Sequence, residues 1–227
     1  MIWKFRNEER PAMVEDLDGL AQGLDISPLL ARILWQRGLR NGDDIRSFLN
    51  PSLKGLAPLK DWPGLIEAAS LLAEGLLQGK RLCVWGDYDV DGISATALVL
   101  DFLRTHGFEA DRHIPDRLSE GYGLNKAGIK AASERGAQML LTVDCGISDN
   151  GAIAYADALG LTVLVSDHHL PAETLPKAAA IVNPRLYPCP CPALSGVGVA
   201  FFLMAALNVE LAAAGRKKAD LRDFLDL

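Results

Sequence analysis

From about residue 63 onward the chain alternates short apolar runs with stretches of helical period, and no other feature narrows the fold so far. The helical segments are "GLIEAASLLAEGLLQG", "SATALVLDFLRTHG", "NKAGIKAASERG" and "SDNGAIAYADALG". Between and after them come the strand-like runs "RLCVWG", "ADRHIP", "AQMLLTV", "LTVLVS" and "AAAIVN". Short apolar strands separated by helices of roughly 10–15 residues read as βαβ units. Such strands need cover on both faces, so the expected fold is α/β, a parallel, doubly wound sheet flanked by helices. A last helix over residues 193–214 is apolar on nearly all sides and is expected to be buried.

Residues 1–62 read instead as a small helical lead-in and linker, leaving residues 63–227 as the main domain. "SPLLARILWQRGL" has helical spacing, with Ser27 as N-cap and Pro28 in the first turn. "NGDDIRSFLNP" is a second short helix, and "PSLKGLAPLKDWPG" is a Pro/Gly linker. There is no internal repeat and no low-complexity tract.

Acidic and histidine side chains follow the strand-like runs closely. Asp87, Asp89 and Asp91 follow "RLCVWG", Asp116 follows "ADRHIP", Asp144 follows "AQMLLTV", and Asp167, His168 and His169 follow "LTVLVS". In an open parallel sheet all strand C-termini share one edge, and ligands bind in the crevice along it. Any one of these aspartates alone reads as a helix cap; four strand ends delivering Asp or His to one edge read as a site. Carboxylates at close range must take up protons or bind cations. Oxygen ligands with an imidazole suit Mn²⁺ or Mg²⁺, Mn²⁺ better once histidine joins. Two ions sharing a bridging carboxylate activate a water and neutralise a leaving oxygen in phosphoester hydrolysis. Asp144, between the two other clusters, is the expected bridge.

Two rivals for "DYDVDG" fail on spacing. An EF-hand loop needs Glu at its twelfth position, where this chain has Leu98, and a helix ahead of the loop, where this chain has a strand. A phosphatase with a nucleophilic Asp after a strand offers no role for "DHH". The net charge of −6 excludes a uniformly basic nucleic-acid coat but not a nucleic-acid enzyme with metal-bound aspartates. No apolar run approaches the ~20 residues of a membrane span. "MIWKFRNEERP" lacks a signal-peptide core, so no membrane and a cytoplasmic location are the defaults. Four cysteines do not suggest a disulfide scaffold, and Cys189 and Cys191 lack the second ligand pair of a zinc site.

"GDYDVDGISA", "TVDCGIS" and "SDHH" resemble, in order, the first three motifs of the DHH phosphoesterase superfamily. "IPDRLSEGYGLN", "AAAIVNPRLYPCP", "LSGVGVAFFL" and the lead-in "LARILWQRGL…FLNPSL" are similar to the RecJ family within it, so the likeness runs from about residue 20 to the end. The resemblance implies a metal-dependent phosphodiesterase, a single-strand-specific 5′→3′ DNA exonuclease of repair and recombination that releases 5′-mononucleotides. It implies Asp87, Asp89, Asp91, Asp144 and His168 as ligands of two Mn²⁺ or Mg²⁺ ions, with Asp144, His168 and His169 catalytic. Asp167 is expected behind His168, fixing its tautomer, and His169 against the scissile phosphate. Arg117 and Arg185 are candidate phosphate contacts or solvated loop arginines. The partner is single-stranded DNA; a single-strand-binding protein or helicase partner is not readable.

The family carries a fourth motif with another metal-binding Asp after a segment like "LRDFLDL", where this chain stops. An N-terminal fragment is therefore expected, with most of the basic groove elsewhere and an exposed apolar patch on the last helix. The alternatives are action on short oligonucleotides, cyclic dinucleotides or pyrophosphate, or a catalytically silent scaffold of the same fold.

Overall fold

The structure, a computed structural model, describes residues 14–226. The expectation for "MIWKFRNEERP" therefore lies outside the described residues. The described chain divides into two compact units, one ending at Leu56 and one beginning at Ala57.

The smaller unit holds α1 (Val14–Leu24), α2 (Pro28–Gln36) and α3 (Gly42–Leu49). Ser27 caps α2 by accepting from the Leu30 amide, with Pro28 in the first turn, as the sequence predicts. Asn41 caps α3 by accepting from the Asp44 amide. Sequence reading did not separate α1 as a helix; its apolar positions are spaced by "EDLDG", a weak period.

The larger unit contains α4 (Leu65–Leu77), β1 (Leu82–Trp85), α5 (Val90–Thr105), β2 (Ala110–His113), α6 (Lys126–Glu134) and β3 (Met139–Val143). It continues with α7 (Asn150–Ala158), β4 (Thr162–Ser166), β5 (Ala180–Val182) and α8 (Gly196–Ala213). Trp62, assigned to the linker by sequence, is buried and stacks on Phe202 of α8 with ring centroids 4.4 Å apart. The five strands are all parallel in the order β2-β1-β3-β4-β5. The chain leaves β1 toward β2 on one side and returns to place β3 on the other. That reversal makes the gap between the C-termini of β1 and β3 the topological switch point, where ligands of such sheets bind.

Side-chain alternation sorts the core. Cys83 and Trp85 of β1, Leu140 of β3, and Val163 and Val165 of β4 pack with Ile129 and Ala132 of α6 and Ile153 and Ala156 of α7. The opposite face is covered by α4, α5 and α8, and Gly75 of α4 lies against Met139. α8 is long and apolar enough to cross a bilayer, but most of it is buried against α4 and α5, as a core helix is. The expected apolar patch does not form: of its large apolar side chains only Val209 is exposed. The final segment turns as a 3₁₀ helix, Leu221–Phe224, whose Phe224 is buried beside Phe102.

Candidate metal centre

The first motif sits on the turn from β1 into α5. Asp89 is the N-cap: its Oδ1 accepts from the Asp91 and Gly92 amides at 2.9 and 3.1 Å. α5 thus begins at Val90, four residues before the sequence-predicted start, and draws Asp91 into its first turn, where the helix dipole favours a carboxylate. Asp87 lies between strand and cap, 3% exposed, with Oδ1 lacking any hydrogen-bond partner. Gly92 permits this turn. A Cβ there would stand 2.5 Å from the Asp87 amide nitrogen and 2.6 Å from its carbonyl oxygen, both backbone atoms that cannot swing aside. Gly92→Ala is expected to cost about 1–3 kcal/mol by overpacking and to weaken Mn²⁺ binding. Thermal melts and Mn²⁺ titration check this; an unchanged melting temperature would refute the close approach.

Asp144 directly follows β3 at φ 64, a left-handed conformation rare outside glycine, asparagine and aspartate. Strain of this kind concentrates at functional sites. The side chain is 1% exposed, its Oδ1 lacks a hydrogen-bond donor, and that oxygen abuts Gly196 at the start of α8. Burial, reinforced by Asp91, Asp89, Asp167 and Asp87, pushes the carboxyl up to about 8 in the metal-free state. Burial also raises Asp87.

The third motif follows β4. Asp167 Oδ1 accepts from the His168 amide, the His169 amide and His169 Nδ1 at 2.7, 3.1 and 2.8 Å, and Oδ2 accepts from the Ile147 amide at 2.9 Å. Asp167 therefore orients the His169 ring and not the His168 ring, contrary to the sequence expectation. The partner of His168 Nδ1 is the Leu194 carbonyl at 2.9 Å, contributed by the segment entering α8. A backbone carbonyl lies too far along the chain and in too irregular a segment for spacing to reveal it.

These partners set the tautomers, because a carbonyl or carboxylate oxygen can only accept. Both Nδ1 atoms carry protons, so both Nε2 atoms are bare in the neutral rings. His168 Nε2 then faces Asp144 Oδ1 at 3.1 Å and Asp91 Oδ2 at 3.7 Å. A lone pair opposed to carboxylate oxygens at that range calls for a proton or a cation between them. Two triads of potential ligand atoms gather here, Asp87, Asp89 and Asp144, and Asp144, His168 and His169, the atoms of each within 4.8 Å of one another. Asp144 belongs to both. The donor set fits divalent ions of the Mn²⁺ or Mg²⁺ kind: the first triad offers oxygens, and the second offers oxygen and nitrogen.

The remaining sequence-selected residues fall around this centre. Asp91 gives both oxygens to the first amides of α8, Gly196 and Val197, at 2.7 Å each, and stands beside the triads rather than within one. Asp116 does not reach the centre. It is exposed and accepts from the Leu118 and Ser119 amides and the Ser119 hydroxyl, which lower its carboxyl. Arg117 lies with its guanidinium 5.5 Å from the Tyr88 ring centroid. Arg185 donates from Nε to the His168 carbonyl at 2.6 Å, supporting the histidine pair from behind. Sequence reading missed Asn183. It is buried at the end of β5, donates to the His169 carbonyl at 2.9 Å and accepts from the Arg185 amide at 2.8 Å. The "VNPR" turn that carries it was the available signal. Cys83 and Cys145 are buried and unpaired, and Cys189 and Cys191 are free.

Comparison with known proteins places the chain in a family. Residues 81–227 match the model of the DHH family, N-terminal domain. The chain is 42% identical over 190 residues to the single-stranded-DNA-specific exonuclease RecJ of Salmonella typhimurium, covering 82% of this chain and 32% of that protein. It is 35% identical to the Bacillus subtilis RecJ over 213 residues, covering 93% of this chain and 27% of that one. The chain thus spans about a third of the length of the curated relatives it matches. A crystal structure of exonuclease RecJ bound to manganese superposes with a TM-score of 0.64 at 40% identity, over 69% of this chain and 40% of that one. RecJ from Thermus thermophilus in complex with Mn²⁺ gives 0.69 at 34% identity, over 87% and 28%. With the family model spanning the whole sheet and all three motifs of the centre, the chain belongs to the DHH family.

Proposed function

We propose that this chain carries the metal centre of a phosphodiesterase that degrades single-stranded DNA from its 5′ end and releases 5′-mononucleotides. The observation that supports it most is Asp144, buried, strained and shared by two triads of ligand atoms. The RecJ relatives are named as single-stranded-DNA-specific exonucleases, and solved RecJ structures contain Mn²⁺ or Mg²⁺.

Two divalent ions, when bound, would supply an activated water and neutralise charge on the phosphate and the leaving oxygen. Asp87, Asp89, Asp144 and His168 would hold them. Asp91 and the Leu194 carbonyl keep the start of α8 and the His168 ring in register with the strand ends. His169, held by Asp167 with Nε2 bare, can ligate or accept a proton; it donates to a phosphate oxygen only after protonation. Arg117, on the loop after β2, brings positive charge to Tyr88 in the first motif and suits a phosphate contact. Arg185 serves the backbone of the histidine pair.

The test is digestion of 5′-labelled and 3′-labelled single strands with Mn²⁺. Early release of labelled mononucleotide from the 5′-labelled strand alone, abolished by EDTA, is the expected result. Earlier release from the 3′ end, or equal digestion of duplex, would overturn the reading.

A further inference from the structure

The loop over residues 114–125, between β2 and α6, brings Arg117 and Tyr122 toward the centre. The Tyr122 hydroxyl lies 3.3 Å from His169 Nδ1, and its ring stands edge-on to His169 at 5.8 Å and to Tyr88 at 6.4 Å. Nothing in the hydrogen-bonding of Tyr122 alone is strong enough to hold a half-exposed ring there. The loop is fastened at two places. On one side Glu120 Oε2 accepts from His113 Nε2 at 2.8 Å and from Asn125 Nδ2 at 2.9 Å, while Oε1 accepts from the Asp116 amide at 3.0 Å.

On the other side is Asp149, outside all three motifs. It occupies the N-cap of α7, yet its side chain makes no capping bond there. An aspartate at this position ordinarily stabilises its own helix by accepting from the second or third amide. Here the carboxylate crosses to a segment 25 residues earlier, where Oδ2 accepts from the Leu124 amide at 3.0 Å. It also packs flush against Gly123, which has φ +78; a Cβ at that glycine would stand 2.8 Å from Oδ2 and 3.0 Å from Oδ1. Gly123 and Leu124 directly follow Tyr122. Burial of the carboxylate raises its carboxyl above the usual range, against the pull of the Leu124 amide.

We propose that Asp149 is a positioning residue that acts through Tyr122. It fixes the backbone of Gly123 and Leu124 and so holds the Tyr122 ring against His169 and Tyr88 as part of the surface that receives the substrate strand. This rests on the phosphodiesterase reading. Because Asp149 touches no metal ligand, its loss lowers strand affinity and leaves Mn²⁺ binding as it was.

The experiment is a double-substitution cycle with Asp149→Ala, Asp149→Asn and Tyr122→Leu, read by fluorescence anisotropy of a labelled single strand and by Mn²⁺ calorimetry. Asp149→Ala is expected to weaken strand binding about tenfold, the worth of one aromatic contact to a base. Asp149→Asn, which keeps an acceptor for the Leu124 amide, is expected to stay within about twofold of the wild type on the same scale. Added to Tyr122→Leu, Asp149→Ala is expected to produce no further loss. Equal losses in both backgrounds, or lost Mn²⁺ affinity in Asp149→Ala, would overturn the proposal. A wild-type protein that binds Mn²⁺ but no single strand would instead overturn the functional reading. The His169 ring resonances then decide on Asp149 alone: a shift in Asp149→Ala supports positioning, and unchanged resonances refute it.

Discussion

Asp144→Asn is expected to abolish Mn²⁺ binding in the shared position and to lower phosphodiester cleavage on the order of a thousandfold, the worth of several kcal/mol of transition-state charge stabilisation by the metals. The substitution replaces one carboxylate oxygen by an amide nitrogen that cannot ligate and removes the negative charge, so the member common to both triads would hold a divalent cation far less well. It is a clean test because the folded chain can accept it. Asparagine tolerates the left-handed conformation that Asp144 adopts, and it matches the carboxyl in volume where Oδ1 abuts Gly196. In the metal-free state the carboxyl, pushed up to about 8, is mostly neutral at pH 7, so a neutral amide costs little there. Calorimetric titration with Mn²⁺, beside a melting curve, separates lost ligation from lost folding. Undiminished Mn²⁺ affinity in a folded variant would remove Asp144 from the centre.

Titration of metal-free protein is expected to show the same buried charge from the other side. A carboxyl raised in the folded state is held in its protonated form, so its contribution to stability is full below the unfolded value. That contribution is lost as pH rises through the folded one. For Asp144 the window runs from 3.8 to about 8. At about 1.4 kcal/mol per unit, several kcal/mol of stability disappear across it. Asp87, also raised by burial, contributes in the same direction. Mn²⁺ reverses the trend, because ligation requires the deprotonated carboxylate and releases its proton. The stabilisation by saturating Mn²⁺ is therefore larger at pH 8 than at pH 6. Melting temperatures between pH 5 and pH 9, with Mn²⁺ and with EDTA, measure both effects. A metal-free melting temperature that stays level over this range would contradict the burial of these carboxylates, and a melting temperature in Mn²⁺ that EDTA leaves unaltered would contradict their ligating a metal.

The sheet was legible because its central strands β1, β3 and β4 are buried on both faces and so are written as unbroken apolar runs. "RLCVWG", "AQMLLTV" and "LTVLVS" could be nothing else once helices of the right length separated them. The same runs made the site legible, since residues just past a parallel strand share one edge whatever the rest of the chain does. β2 shows the limit of that rule. Asp116 also follows a strand, but β2 is an edge strand and its loop turns the carboxylate onto its own amides. Position after a strand places a residue near the edge; strand order decides whether it joins the centre.

Tertiary structure alone decided the hydrogen-bond partners. The Leu194 carbonyl that sets the His168 tautomer, the Asn183 amide under the His169 backbone and the pairing of Asp167 with His169 join segments far apart or backbone atoms without a sequence signature. Asp149 carries the same lesson, an N-cap by position whose carboxylate serves another loop. The amino-acid sequence by itself determined the α/β class, the common edge and the donor types gathered there, because strand and helix periods and the polarity of parallel strands follow from local chemistry. Strand order, the charge state of Asp144 and the facing lone pairs of the histidines depend on which groups become neighbours once water is excluded, and only the folded chain specifies that.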